Sequence, residues 1–200
     1  YLYRAVFGMG FRSLISAPAK RVGALLVAVS LLCAVSATAV TAAPPTAPPG
    51  ATQSTTTVSG TATEPVPGFG QGTLTSSLTV SGAGRYVSDV QLLTKLFHTF
   101  PKDLKVTLTS PAGTTVQVTD GQGGGSDDVF SATRWSDAAG VPVSRTTFTN
   151  GVAKAALSPQ QAFGRFLGEN PNGVWQLKVI DQGADDDTGV LKGWSLDVST

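Results

Sequence analysis

The stretch HTFPKDLKVTLTSPAGT, His98 to Thr114, decides the fold. Leu104, Val106 and Leu108 alternate with polar residues, and Val116 and Val118 do the same after a gap. A period of two over such short runs describes strands with one buried face. The gap, Ser110-Pro111-Ala112-Gly113-Thr114, carries turn chemistry. Proline presets φ at about −65° and glycine accepts positive φ, so a three-residue Pro-Ala-Gly loop with glycine in the left-handed position closes a hairpin. That loop length places Leu108 opposite Val116 and Val106 opposite Val118, with all four on one face. A two-residue loop would set Val106 against Gln117 and split the apolar face.

The same alternation spreads outward in both directions. Leu74, Leu78 and Val80 form one row, and Val90, Leu92, Thr94, Leu96 and His98 a second. Trp175, Leu177 and Val179 form another, and Trp194, Leu196 and Val198 the last. Between them lie the Gly-rich loop GQGGGSDD, a run Val129–Trp135, an irregular stretch with a short strand expected near Thr146–Phe148, and a short strand or turn at Ala162–Leu167. Many short strands, Gly/Pro/Asp turns and no helical period indicate an all-β sandwich.

Four blocks carry a family resemblance. The hairpin with its HT, DL and SP.GT signature is similar to the P domain (Homo B domain) that follows the catalytic domain of kexin- and furin-type subtilases. GAGRYVSDV (Gly82–Val90), ENPNGVWQL (Glu169–Leu177) and DTGVLKGWSLDV (Asp187–Val198) resemble further elements of that domain, in the same order. The resemblance covers roughly residues 68–200. It implies a jelly-roll sandwich of about eight strands.

The remainder of the chain reads differently. Lys20-Arg21 precedes an uncharged run from Val22 to Ala43, with the small-residue site Ala37-Thr38-Ala39 and a second at Val40-Thr41-Ala42. A basic segment, an apolar run and small residues describe a secretory signal peptide over residues 1–42, with Met9 the expected start and export to the extracellular space the expected fate. The run is also long enough for an uncleaved anchor. Cys33, the one cysteine, follows Leu32 where a lipoprotein site wants a small residue, so it reads as an apolar residue of that run. Residues 43–67, with APPTAPPG and a Ser/Thr tract, read as a disordered linker before a domain at 68–200.

Charge narrows the function. All four basic residues before position 22 belong to the leader, and every acidic residue follows position 63. Without the leader ten basic and thirteen acidic residues leave a net charge of −3. With no basic patch among interleaved aromatics, nucleic-acid binding is not expected. Only 14% of residues are charged, and the domain has no cysteine to staple it.

Catalysis finds little footing. His98 is the sole histidine and shares the face of Val90, Leu92 and Leu96, so it is expected in the core or at its margin. No G-x-S-x-G elbow is present. In the resembled enzymes the triad lies in a separate subtilase domain, for which the chain has no room. Metal has a better case. Eleven aspartates but two glutamates are present. Asp103 and Asp120 are expected at the open end of the hairpin, Asp127 and Asp128 beyond the Gly-rich loop, and Asp181, Asp185, Asp186 and Asp187 in one late loop. Crowded carboxylates repel unless solvated or neutralised, and hard oxygens on flexible loops suit calcium rather than zinc. These eight are candidate calcium ligands, with solvated turn aspartates as the alternative. Trp175 and Trp194 are phased to the core, whereas Trp135 is a candidate for a sugar-stacking surface.

The expectation is a secreted, monomeric, non-catalytic module. The resemblance implies that it binds or stabilises a protein partner, a subtilase-type protease foremost. Membership of a serine endopeptidase system and a carbohydrate-binding jelly roll are the alternatives.

Overall fold

The computed structural model describes residues 53–61, 63–184 and 186–200. The signal peptide read over residues 1–42, with Cys33, and most of the first half of the expected linker lie outside the described residues.

Ten strands form two facing sheets among the described residues. They are β1 (Thr55–Gly60), β2 (Glu64–Val66), β3 (Leu74–Val80), β4 (Asp89–His98), β5 (Leu104–Thr109), β6 (Thr115–Asp120), β7 (Thr133–Ser136), β8 (Ala156–Leu157), β9 (Gly173–Asp181) and β10 (Gly189–Ser199). The first sheet runs β1-β10-β4-β7-β8, with β2 also paired to β10, and the second runs β3-β9-β5-β6. This is the all-β sandwich expected, with ten strands rather than about eight.

Alternation explains the packing. In β4 every second residue from Val90 to His98 is buried, and in β9 the buried set is Trp175, Leu177, Val179 and Asp181. Their apolar faces meet in one core, where the Phe130 and Trp135 rings lie 5.2 Å apart and Phe166 meets Trp175 edge-on at 5.1 Å. Fully burying an aliphatic or aromatic side chain contributes about 1.5–3 kcal/mol, so these rows carry the stability of a domain without disulfides.

Several expectations are corrected. The stretch expected to be disordered linker, residues 43–67, supplies β1 and β2, both antiparallel to β10. Its Ser/Thr content concealed a period of two: Thr56, Val58 and Gly60 are half-buried and alternate with exposed residues. Val106 pairs with Thr119, not Val118, because a bulge follows Val106; Leu108 does face Val116. The bulge admits one extra residue, so Val118 and Thr119 are both buried. Thr146–Phe148 is not a strand; of the strand or turn expected at Ala162–Leu167 the turn forms, a 3-10 turn at Phe163–Phe166 that buries both phenylalanines.

Candidate functional site

Antiparallel pairing brings the C-terminal ends of β4, β6 and β9 and the N-terminal ends of β5 and β10 to one end of the sandwich. Gly189 faces His98, Leu104 faces Asp181, and Lys105 faces Asp120. His98, on the first sheet, points its Nε2 at the Asp181 Oδ2 of the second, 3.4 Å away, with both side chains almost wholly buried. Its Nδ1 accepts the Phe100 N–H at 3.1 Å. That acceptor role places the ring proton on Nε2, facing the carboxylate. Both nitrogens are turned inward, and neither is presented to solvent as a base.

The aspartates of this end are engaged separately. The Asp181 Oδ1 accepts the Gly183 N–H. The Asp128 Oδ1 accepts the His98 N–H at 3.0 Å, from a backbone at φ 59°. Aspartate tolerates this left-handed conformation better than most side chains. Asp120 lies 3.3 Å from the Lys105 Nζ and accepts the Gln182 Nε2. The Asp103 carbonyl accepts the Gln182 N–H, so Asp103 and Asp120 do share the open end as expected. The Asp187 Oδ1 accepts the Thr99 hydroxyl, while its Oδ2 is buried and has no hydrogen-bond partner among the described residues. Asp127 receives the Gly151 N–H on its carbonyl, and Asp186 is exposed. Asp185 lies outside the described residues. A cleft of about 330 Å³, lined by His98, Asp128 and Gly189 among others, opens beside the histidine. Among the described residues no three of His, Cys, Asp and Glu converge in a way that could hold a metal ion. The carboxylates of Asp120, Asp128, Asp181 and Asp187 accept internal donors.

The opposite end holds what the sequence reading missed. Glu169 accepts the Ser110 hydroxyl at 2.5 Å and also the Thr114 hydroxyl, so its carboxylate straps the β5–β6 turn. The Asn172 side chain accepts the Ala83 N–H and donates to the Ala83 carbonyl. The Trp175 indole donates to the Pro171 carbonyl. A Cβ on Gly173 would lie 2.8 Å from that of Pro111, so glycine permits the turn to pack there. The quoted sequence blocks therefore touch: Gly82–Val90, the hairpin turn and Glu169–Leu177 form one cross-linked end. The signal was available, since Glu169 is one of two glutamates in a chain of aspartates. Trp135, the proposed sugar-stacking surface, is 1% exposed and donates to Thr94.

The family profile of the proprotein convertase P-domain matches residues 87–198, more than half of the chain. The chain belongs to that family. The match runs from the start of β4 nearly to the end of β10, so β1, β2 and β3 lie outside it. No curated protein matches the sequence. Two similar solved structures are the serine protease of Aeromonas sobria and the same protease in complex with a chaperone, ORF2. Identity is 19% in both, with TM-scores of 0.48 and 0.49 and coverage of 78% and 74% of this chain. The chain spans only 28% and 27% of the length of those proteases.

Proposed function

We propose that this chain is an exported, non-catalytic P-domain module that binds and stabilises a protein partner, with a subtilase-type protease domain as the partner class. Membership of the P-domain family over residues 87–198 carries the reading. The inward-facing nitrogens of His98 support it, because a triad base must reach a nucleophile, and here Nδ1 accepts a backbone N–H while Nε2 is buried facing Asp181. The carbohydrate reading loses its main support with the burial of Trp135. Calcium belongs to the same proposal as a structural ion near Asp187, whose buried Oδ2, without a hydrogen-bond partner among the described residues, is the atom that favours it.

The test uses the purified chain and a subtilase catalytic domain from the same genome that lacks a P domain. A complex on gel filtration and a longer inactivation half-life of the protease are expected. No complex and an unchanged half-life would overturn the partner class. The chain alone should show no peptide turnover; turnover that persists through repurification and vanishes in His98→Ala would overturn the non-catalytic reading.

A further inference from the structure

The outer face of the first sheet is divided into two unlike halves. In one half the charges are matched. The Arg134 guanidinium donates to the Asp197 carboxylate at 2.8 Å and to the Gln91 side chain at 3.1 Å, and Thr57 donates to the other Asp197 oxygen. The other half is built from Leu93, Phe97 and Val190, which face outward and are only part-buried. Two lysines stand over it. Lys192 sits 4.1 Å above the Phe97 ring, and Lys95 is exposed and makes no ion pair among the described residues.

Between the halves is a cleft of about 150 Å³, walled by Leu93, Lys95, Trp194, Ser59 and Ser195. Its origin is backbone chemistry. The β10–β4 register slips between Leu191 and Trp194, and Gly193 takes φ +134° at the slip. A Cβ on Gly193 would collide with the Gly60 carbonyl, so glycine at the slip lets the end of β1 close on β10 beside the cleft. Neither the Ser59 nor the Ser195 hydroxyl has a hydrogen-bond partner among the described residues. A cavity of about 150 Å³ accepts a benzene-sized group. An apolar wall, two spare hydroxyls and one unpaired ammonium on a module of net charge −3 select an apolar group carried beside an anion.

We propose that this cleft is a docking pocket for one apolar side chain of a protein partner, with Lys95 pairing a carboxylate adjacent to that side chain. The inference deepens the partner-binding reading and rests on it for the occupant's being protein. It makes no claim on whether that protein is a protease.

The experiment titrates the ¹⁵N-labelled full chain at low salt with N-acetyl-L-phenylalaninate, its neutral carboxamide, and N-acetylglycinate. Shifts of the Leu93 and Ser195 amides and the Trp194 indole N–H are expected with the first. The carboxamide should bind about two- to five-fold more weakly, the range of one exposed charge pair. N-acetylglycinate should leave the three signals unmoved. Lys95→Gln, an exposed substitution whose spectrum elsewhere should match the parent, should abolish the difference between acid and amide. Absent shifts, shifts centred elsewhere, equal binding of acid and amide, or a preference that survives Lys95→Gln would each overturn the pocket. No protease is present in this titration, so failure here and failure of the protease-stabilisation test are read separately.

Discussion

At His98 the ring nitrogens are divided between a local turn and the facing sheet: Nδ1 receives the Phe100 N–H, and Nε2 faces Asp181. Replacing the ring with a methyl group would strand the Phe100 donor and leave a buried carboxylate short of its partner. Hydrogen-bond loss of this kind costs about 1–3 kcal/mol, and His98→Ala should lower the urea midpoint accordingly with an unchanged m-value. A surface histidine would give no shift. Glu169 invites a parallel test at the other end, where it accepts two hydroxyls from the β5–β6 turn. It is only half-buried, so Glu169→Ala should cost about 1–2 kcal/mol. Ser110→Ala in the Glu169→Ala background should then cost less than Ser110→Ala alone, because the pair is already broken. An additive double mutant would remove the strap.

Among the elements, legibility in the sequence followed the strength of the period. β4, β9 and β10 show long alternations of Leu, Val and Trp, and their faces were readable residue by residue. The hairpin was readable as far as Leu108 against Val116, but the bulge after Val106 was not, because Val118 and Thr119 both suit burial. β1 was missed because Thr and Ser alternate as one polar class, and its inward set is only half-buried. Trp135 was misplaced because β7 is four residues long, too short for a phase. For the candidate site, the strand ends that gather aspartates were readable, while partners such as Thr99 for Asp187 and Gln182 for Asp120 come from positions far away in sequence. Burial of Trp135 has a measurable consequence. Trp135→Ala should destabilise by about 3–5 kcal/mol, as expected for a large aromatic removed from a core. A surface platform would tolerate the change within about 0.5 kcal/mol.

For the whole molecule, the loop end of the sandwich and the chain-spanning strand β10 govern stability in different ways. Calcium at the loop end would act by linkage: an ion bound only by the native state adds RT ln(1 + [L]/Kd), about 2.7 kcal/mol at a hundredfold excess over Kd. Melting curves in millimolar calcium and in chelator should then differ by several degrees, Asp187→Asn should close the gap, and Asp197→Asn should not. Superimposed curves would mean that the internal donors at Asp120, Asp128 and Asp181 suffice. β10 presents a stronger dependence. It pairs with β4 along one edge and with β1 and β2 along the other, and Ser54 and Thr200 exchange both backbone hydrogen bonds. Residues far apart in sequence thus close the first sheet, beyond the stretch that defines the family. Removing residues 1–52 should leave this closure intact. Removing residues 1–67 would strip β1 and β2, expose that edge of β10, and take away the packing that Val66 and the inner side of Val58 contribute to the core. Two aliphatic side chains at about 1.5–3 kcal/mol each set the scale of the loss, at about 3 kcal/mol or more. The two truncations, compared by urea unfolding, should therefore differ by that amount, and an open β-edge should make the shorter chain aggregate more readily. Equal stability of the two would return residues 53–67 to the role of linker.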